Sequence, residues 1–376
     1  MTIPARWDRQ TALDRAAVSG YPVLDLSLGV APDAPPPVET ACSAGPTAYP
    51  ASVGTPELRS ACCDYLSRRF GVTVPVTACA ACAGAKEFIA TLPVMLRDLG
   101  TGGDRDVVLI PSLGYAPYSF GARLAGFRVH RVPVDGEGRM DVAALPADVV
   151  SRALCLWVCS PANPTGVLEP LTELADWARA HGILLLSDEA YAETTWSRRP
   201  SSVLENGLNG VVAVHSVSKR SNAPGLRAGF YAGDPVLVAA LVQLRRSAGL
   251  IASESAQATA TRLFTDDQHA DRQRSRARDR LTGLVNLLNE NGLPCRPPDG
   301  GLFAWVIAPG GDGLAFAYWA AERTGIVVTP GTEYGPTGHD RVRIAAVRDP
   351  EDIAPRVALL SEYWSPTAVS GRLPFS

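Results

Sequence analysis

The stretch VVAVHSVSKRSNAPGLRAG, Val211 to Gly229, opens as an apolar run of the kind that fills a buried strand and ends on polar groups. Ser216 and Lys219 close the run, and a turn with Gly225, Arg227 and Gly229 follows. An ammonium at the end of a buried strand is expensive to desolvate, so it either reaches out to solvent on its methylene stem or has a chemical task.

Outward from this stretch the pattern alternates. Short apolar runs DVVLIPS, RVHRVPVD, ALCLWVCSPANP and GILLLSDEA are separated by helical segments such as LTELADWARAHG. Apolar runs bounded by turn residues read as buried strands, and their alternation with helices predicts an α/β fold with a mainly parallel, doubly wound sheet. Such sheets bind ligands at the carboxyl ends of their strands. Upstream, PELRSACCDYLSRRFGV predicts a helix, with Pro56 suited to its first turn and Gly71 to its end. Downstream, DPVLVAALVQLRRSA and the segment to about Asn291 predict long helices, and PDGGLFAWVIAP and DRVRIAAV predict strands of a smaller C-terminal domain. An arginine at every second position from Arg272 to Arg280 scatters charge around a helix, which predicts a solvated, partly paired surface. The tail SPTAVSGRLPFS is expected to be loosely ordered.

The chain has 376 residues, 46% hydrophobic and 19% charged, enough for a large core and two structural domains. A net charge of −3 gives no general attraction to nucleic acid or anionic membrane, so the expected partner is a small molecule and anion binding must be local. The charged start MTIPARWDRQ does not read as a signal peptide, and eight cysteines without a second CxxC or paired histidines fit buried small hydrophobes in a reduced cytoplasm, with no metal.

The strand ends deliver polar groups in order: Asn163 in NPTG, Asp188 with Tyr191 three residues on, then Ser216 and Lys219, with Arg227 in GLRAG. Singly, Asn163 reads as a turn former, Asp188 as a helix cap and Tyr191 as a core residue with a wet hydroxyl. Together they suit pyridoxal 5′-phosphate. A partly desolvated lysine forms a Schiff base with the aldehyde, and a carboxylate keeps the pyridine nitrogen protonated so that the ring draws electrons. Tyr191 and Asn163 can donate to the ring oxygen, while Ser216, Arg227 and the helix start at Ala85 and Lys86 in ACAGAKEF can hold phosphate. LIPSLGYAPYSF offers Tyr115 and Tyr118 as stacking partners.

With these residues in order, the chain resembles the fold-type I pyridoxal-phosphate aminotransferases of class I and II, through AYPASVGTPELR, AGAKE, NPTG, SDEAY, SVSK with GLRAG, GGLFAW, PGTEYG and VRIA. The resemblance runs from about Leu26 to Val347 and implies a large domain over 46–265, with a small α+β domain from 1–45 and 266–376. It implies that Lys219 carries the cofactor and shuttles the proton, Asp188 pairs with the pyridinium, Tyr191 and Asn163 contact the ring oxygen, and Tyr115 stacks. Ser216, Arg227, Ala85 and Lys86 would bind phosphate, and Tyr49 would reach the neighbouring subunit of a homodimer. Arg343 would take the substrate carboxylate, with Gly29 and Asn163 nearby. YAPYSFGARLAG, SKRSN, GLFAW and YGPTG are similar to the actinobacterial N-succinyldiaminopimelate aminotransferase type. Against this, PGTEYG puts Glu333 where an aromatic residue is expected, in a loop near the substrate side chain, where a carboxylate would repel a dicarboxylate.

The leading function is therefore transfer of an amino group between an amino acid and a 2-oxo acid. The alternative is a lyase, decarboxylase or oxidative deaminase of specialised metabolism on the same fold, because cofactor motifs do not report which bond lies perpendicular to the ring. A cofactor-binding regulator is the third reading, with no DNA-binding segment to support it.

Overall fold

A computed structural model describes residues 7–37 and 49–364; Cys42 and the tail SPTAVSGRLPFS lie outside the described residues. The helix read from PELRSACCDYLSRRF spans Pro56–Phe70, its start capped by the Thr55 hydroxyl on Leu58 N–H and its end closed by left-handed Gly71.

Seven strands form the large sheet, in the spatial order Cys79–Cys82, Gly229–Gly233, Val211–Ser216, Leu184–Asp188, Ala153–Cys159, Val107–Pro111, Arg128–Val132. All are parallel except Gly229–Gly233, which runs antiparallel to both of its neighbours. Five strands, Cys79–Cys82 among them, are buried along their whole length on both sides, which is why they carry continuous apolar runs rather than alternating ones. Trp157, Leu186 and Val214 face one layer, packed with Phe88 and Leu92 of helix Ala85–Asp98. Val158, Leu185 and Ala213 face the other, against Tyr65 and Leu66 of helix Pro56–Phe70 and Leu174 of helix Leu171–Ala180. Burying each such large apolar side chain contributes about 1.5–3 kcal/mol before entropy is charged against it.

The turn after Lys219 takes its left-handed conformations at side-chain-bearing positions. Its left-handed residues are Asn222 and Arg227, at φ 51° and 54°, and neither glycine. Gly229 is needed for a different reason: a Cβ there would lie 2.3 Å from the carbonyl oxygen of His215 on the adjacent strand.

The smaller domain draws on both ends of the chain. Leu24–Asp25 pairs in parallel with Ile326–Val327, and Phe303–Ile307, Arg341–Ala345 and Thr329–Pro330 form a three-stranded antiparallel sheet. Helices Pro235–Ser247, Glu254–Thr265 and Asp267–Glu290 connect the two sheets.

The arginine-rich stretch is less solvated than its spacing predicts. Arg280 is 6% exposed and pairs with Asp33 and, at 2.7 Å, with Asp349, while Arg274 donates to the carbonyls of Glu193 and Thr195 at 2.8 and 2.7 Å. The helix lies between the two domains, so part of every turn faces protein.

Candidate active site

The polar residues read from the sequence converge at the carboxyl edge of the parallel strands. Strand Leu184–Asp188 ends on Asp188 and strand Val211–Ser216 ends on Ser216, with Lys219 in the helical turn Val217–Arg220 that follows. Asn163 follows Ala153–Cys159, and Tyr115 follows Val107–Pro111 and precedes helix Ala116–Leu124.

Lys219 Nζ donates to the Gly29 carbonyl at 2.5 Å and lies 5.9 Å from the Tyr191 ring centre. Burial, and after it the positive charges of Arg343 and Lys86, bring its amine down to about 8. At neutral pH about a tenth of such an amine is unprotonated and nucleophilic, far more than of a free lysine. Gly29 permits this approach: a Cβ there would sit 2.7 Å from Phe303 Cζ and 3.6 Å from Lys219 Nζ.

Asp188 is 4% exposed, and its carboxyl is pushed upward by burial, an effect offset by the Tyr118 hydroxyl. Tyr118 donates to Oδ2 at 2.8 Å and Ala190 N–H to Oδ1 at 3.2 Å. Asp188 thus ends a strand and starts no helix. It makes no ion pair among the described residues, so a buried cation beside it would be strongly favoured. Tyr118, which the sequence offered as a stacking partner, instead stacks on Trp157 at 5.2 Å between centroids and braces Asp188. Tyr115 is half-buried, 6.0 Å from the Tyr118 ring, with Lys86 Nζ 5.6 Å from its own.

Arg343 is 6% exposed and donates to Asn163 Oδ1 at 2.9 Å and to the Ser27 carbonyl at 2.5 Å. Its guanidinium lies 3.9 Å from the Phe303 ring centre and 5.0 Å from that of Tyr334, and its Nε–H has no hydrogen-bond partner among the described residues. The site therefore holds a buried, oriented cation with donors to spare. Ser27, Phe303 and Tyr334 were not singled out from the sequence, although GLFAW and PGTEYG contain two of them. Within the PGTEYG turn, buried Tyr334 packs on Arg343; Glu333, one residue earlier, is half-buried.

At the other end, helix Ala85–Asp98 begins after Gly84 with no side-chain cap. The N–H groups of Ala85 and Lys86 have no partner among the described residues, which makes the turn attractive to an anion. Gly84 has φ +89°, and a Cβ there would meet Arg227 Nη2 at 2.6 Å, so the arginine lies directly against the turn. Arg227 donates to the carbonyls of Pro224 and Ala83 at 3.0 and 3.2 Å. Ser216 Oγ lies 2.8 Å from Ser218 Oγ and accepts from Ser218 N–H at 3.1 Å. Tyr49 is 95% exposed and joins none of these groups within its own chain. No cluster of potential metal ligands and no helix long and apolar enough to cross a membrane occurs among the described residues.

Comparison with known proteins places this geometry in context. Residues 23–357 match the family described as aminotransferase class I and II. The 4-dedimethylamino-4-oxo-anhydrotetracycline transaminase of Streptomyces rimosus is 39% identical over 358 residues, covering 92% of this chain and 95% of that protein. A probable aminotransferase of Mycobacterium tuberculosis is 38% identical over 372 residues, 94% of this chain and 84% of its own length. The structure of a probable N-succinyldiaminopimelate aminotransferase from Thermus thermophilus aligns with a TM-score of 0.83 at 27% identity, covering 94% of this chain and 98% of that one.

Proposed function

Because the chain belongs to the class I and II aminotransferases, we propose that Lys219 is the residue on which its amino-transfer chemistry turns. The family uses pyridoxal 5′-phosphate to move amino groups between amino acids and oxo acids, and the residues present suit that group: a buried amine at Lys219, an unpaired buried carboxylate at Asp188, and uncapped N–H groups beside Arg227. The observation that carries the reading is Lys219 itself, its amine held on the Gly29 carbonyl just past the end of a central strand and lowered to about 8 by burial.

When bound, the cofactor supplies an aldehyde for the amine and an electron-withdrawing ring. Asp188 would hold a proton on the ring nitrogen, kept ionised by that contact and braced by Tyr118. Asn163, whose oxygen is committed to Arg343, has its amide N–H₂ left to donate to the ring oxygen, and Tyr191 would donate beside it. Tyr115 would cover the ring face. Ser216, Arg227 and the N–H groups of Ala85 and Lys86 would hold the phosphate. Lys219 Nζ would take and return the proton at the substrate Cα, and Arg343 would hold the substrate carboxylate through its free donors, with Gly29 limiting the space beside it.

The exposed Tyr49 supports a homodimer in which this ring reaches the partner's site. On substrate, the resemblance to the Thermus protein supports an N-succinyldiaminopimelate and 2-oxoglutarate pair. The Streptomyces relative supports a role in specialised metabolism, where lyase, decarboxylase or oxidative deaminase chemistry is the second reading. Glu333 is the residue proposed to set the difference, through repulsion of a dicarboxylate side chain. An assay of a panel of amino donors with 2-oxoglutarate tests this: stoichiometric glutamate supports transfer, whereas carbon dioxide or ammonia release without glutamate overturns it.

A further inference from the structure

Helix Ala85–Asp98 is tied to helix Pro235–Ser247 by an ion pair, buried on its arginine side, that the chemistry above does not use. Arg245 Nη2 donates to Glu87 Oε2 at 2.7 Å and Nη1 to Oε1 at 2.9 Å, a two-pronged fork with the Arg245 side chain 2% exposed. The guanidinium lies 5.4 and 5.6 Å from the ring centres of Phe88 and Tyr231. The same carboxylate accepts the backbone N–H of Ala83 and the Thr91 hydroxyl, each at 3.1 Å.

Ala83 immediately precedes the Gly84 turn, so Glu87 fixes the backbone just before the uncapped helix start. By taking the Ala83 N–H it leaves those of Ala85 and Lys86 as the open donors. A carboxylate in the first turn of a helix competes electrostatically with any external anion drawn to the same end. With Arg245 clamped on it, Glu87 shapes the turn without charging it.

We propose that Glu87 and Arg245 are positioning residues for phosphate binding: Glu87 sets the Ala83–Lys86 turn and Arg245 cancels the charge that would otherwise repel the ligand. This rests on reading the turn as the cofactor-phosphate site. A purely mechanical tie between two helices would respond to loss of the fork. The proposed role responds to net charge beside the turn.

The test measures dissociation constants of pyridoxal 5′-phosphate and of phosphate-free pyridoxal for the full-length cofactor-free protein, with thermal midpoints, in wild type, Arg245→Met, Arg245→Lys, and Arg245→Met combined with Glu87→Gln. Arg245→Met leaves a bare carboxylate and is expected to weaken pyridoxal phosphate by about tenfold or more with pyridoxal unchanged. The double variant, which keeps an acceptor for Ala83 N–H without charge, and Arg245→Lys are expected to bind within roughly threefold of wild type. Equal loss for both ligands, or a double variant no tighter than Arg245→Met, would overturn the proposal. Wild type that binds pyridoxal as tightly as its phosphate would instead remove the phosphate site itself, and the inference with it.

Discussion

Lys219 Nζ and the carbonyl oxygen of Gly29, 190 residues apart in the chain, meet at 2.5 Å. One belongs to the turn after a central strand of the large sheet, the other to the segment that follows the Leu24–Asp25 pairing of the smaller domain. The amine is thus held where the two domains meet. Replacing Gly29 by alanine puts a Cβ 2.7 Å from Phe303, so the ring that packs on Arg343 must shift. The expected outcome is a rise of about tenfold in KM for carboxylate substrates, as roughly 1–2 kcal/mol of positioning is lost, with the bound-cofactor spectrum retained. Steady-state kinetics and absorbance check both halves.

The pH dependence follows from the same amine. Its pKa falls from 10.5 to about 8 in the fold, so between these values the unfolded state binds more protons and stability rises with pH. The cost of burying the ammonium, on the order of 3 kcal/mol, is present below pH 8 and gone above 10.5. Cofactor-free Lys219→Met is therefore expected to be more stable than wild type at pH 7 and no more stable above pH 10.5, by urea denaturation. The variant loses cofactor capture, while in wild type the capture rate rises from pH 6 to about 8 and then levels.

Asp188→Asn keeps the shape and an acceptor for Tyr118 but removes the charge. Loss of an electrostatic group of this kind costs kcat roughly a hundredfold or more. Tyr118→Phe deletes one hydrogen bond to the carboxylate, about 1.5–3 kcal/mol, and should lower kcat less than Asp188→Asn does. Equal effects in rapid-mixing kinetics would contradict the assignment of Tyr118 as a brace.

Arg343→Ala is expected to raise KM for carboxylate substrates roughly 10- to 150-fold, the range of a charged hydrogen-bonded contact. Arg343→Lys should recover only part of this, because a point charge cannot serve Asn163, Ser27 and a carboxylate at once. An unchanged KM in Arg343→Ala would take Arg343 out of the substrate site, and an unchanged KM in Arg343→Lys would show that a point charge suffices there.

Arg280→Met leaves Asp33, a side chain only 13% exposed, without its closest cation, though Arg276 remains 3.2 Å away. Breaking such a buried pair is expected to cost about 3 kcal/mol, read as a lower urea midpoint, with the amine chemistry at Lys219 unchanged in the folded protein.

The sequence by itself determined the large sheet and the order of its polar strand ends, because buried parallel strands must be apolar along their length and stop at polar groups. Asp188, Asn163, Ser216 and Lys219 were legible for that reason. The helix at Pro56–Phe70 was legible because its ends carry their own chemistry in Pro56 and Gly71, to which the structure adds the Thr55 cap.

Only the tertiary structure decided the rest. Tyr118 turned from a ring-stacking candidate into the partner of Asp188, and Tyr334, one residue past Glu333, became the ring beside Arg343. Ser27 and Phe303 joined the site through contacts with Arg343 across 316 and 40 positions, which no local pattern carries. Arg280 was buried because its helix lies between two domains, and Glu87 was matched to Arg245 across 158 positions. Local periodicity encodes which face of an element is apolar; which residues meet across domains depends on how those faces close against one another.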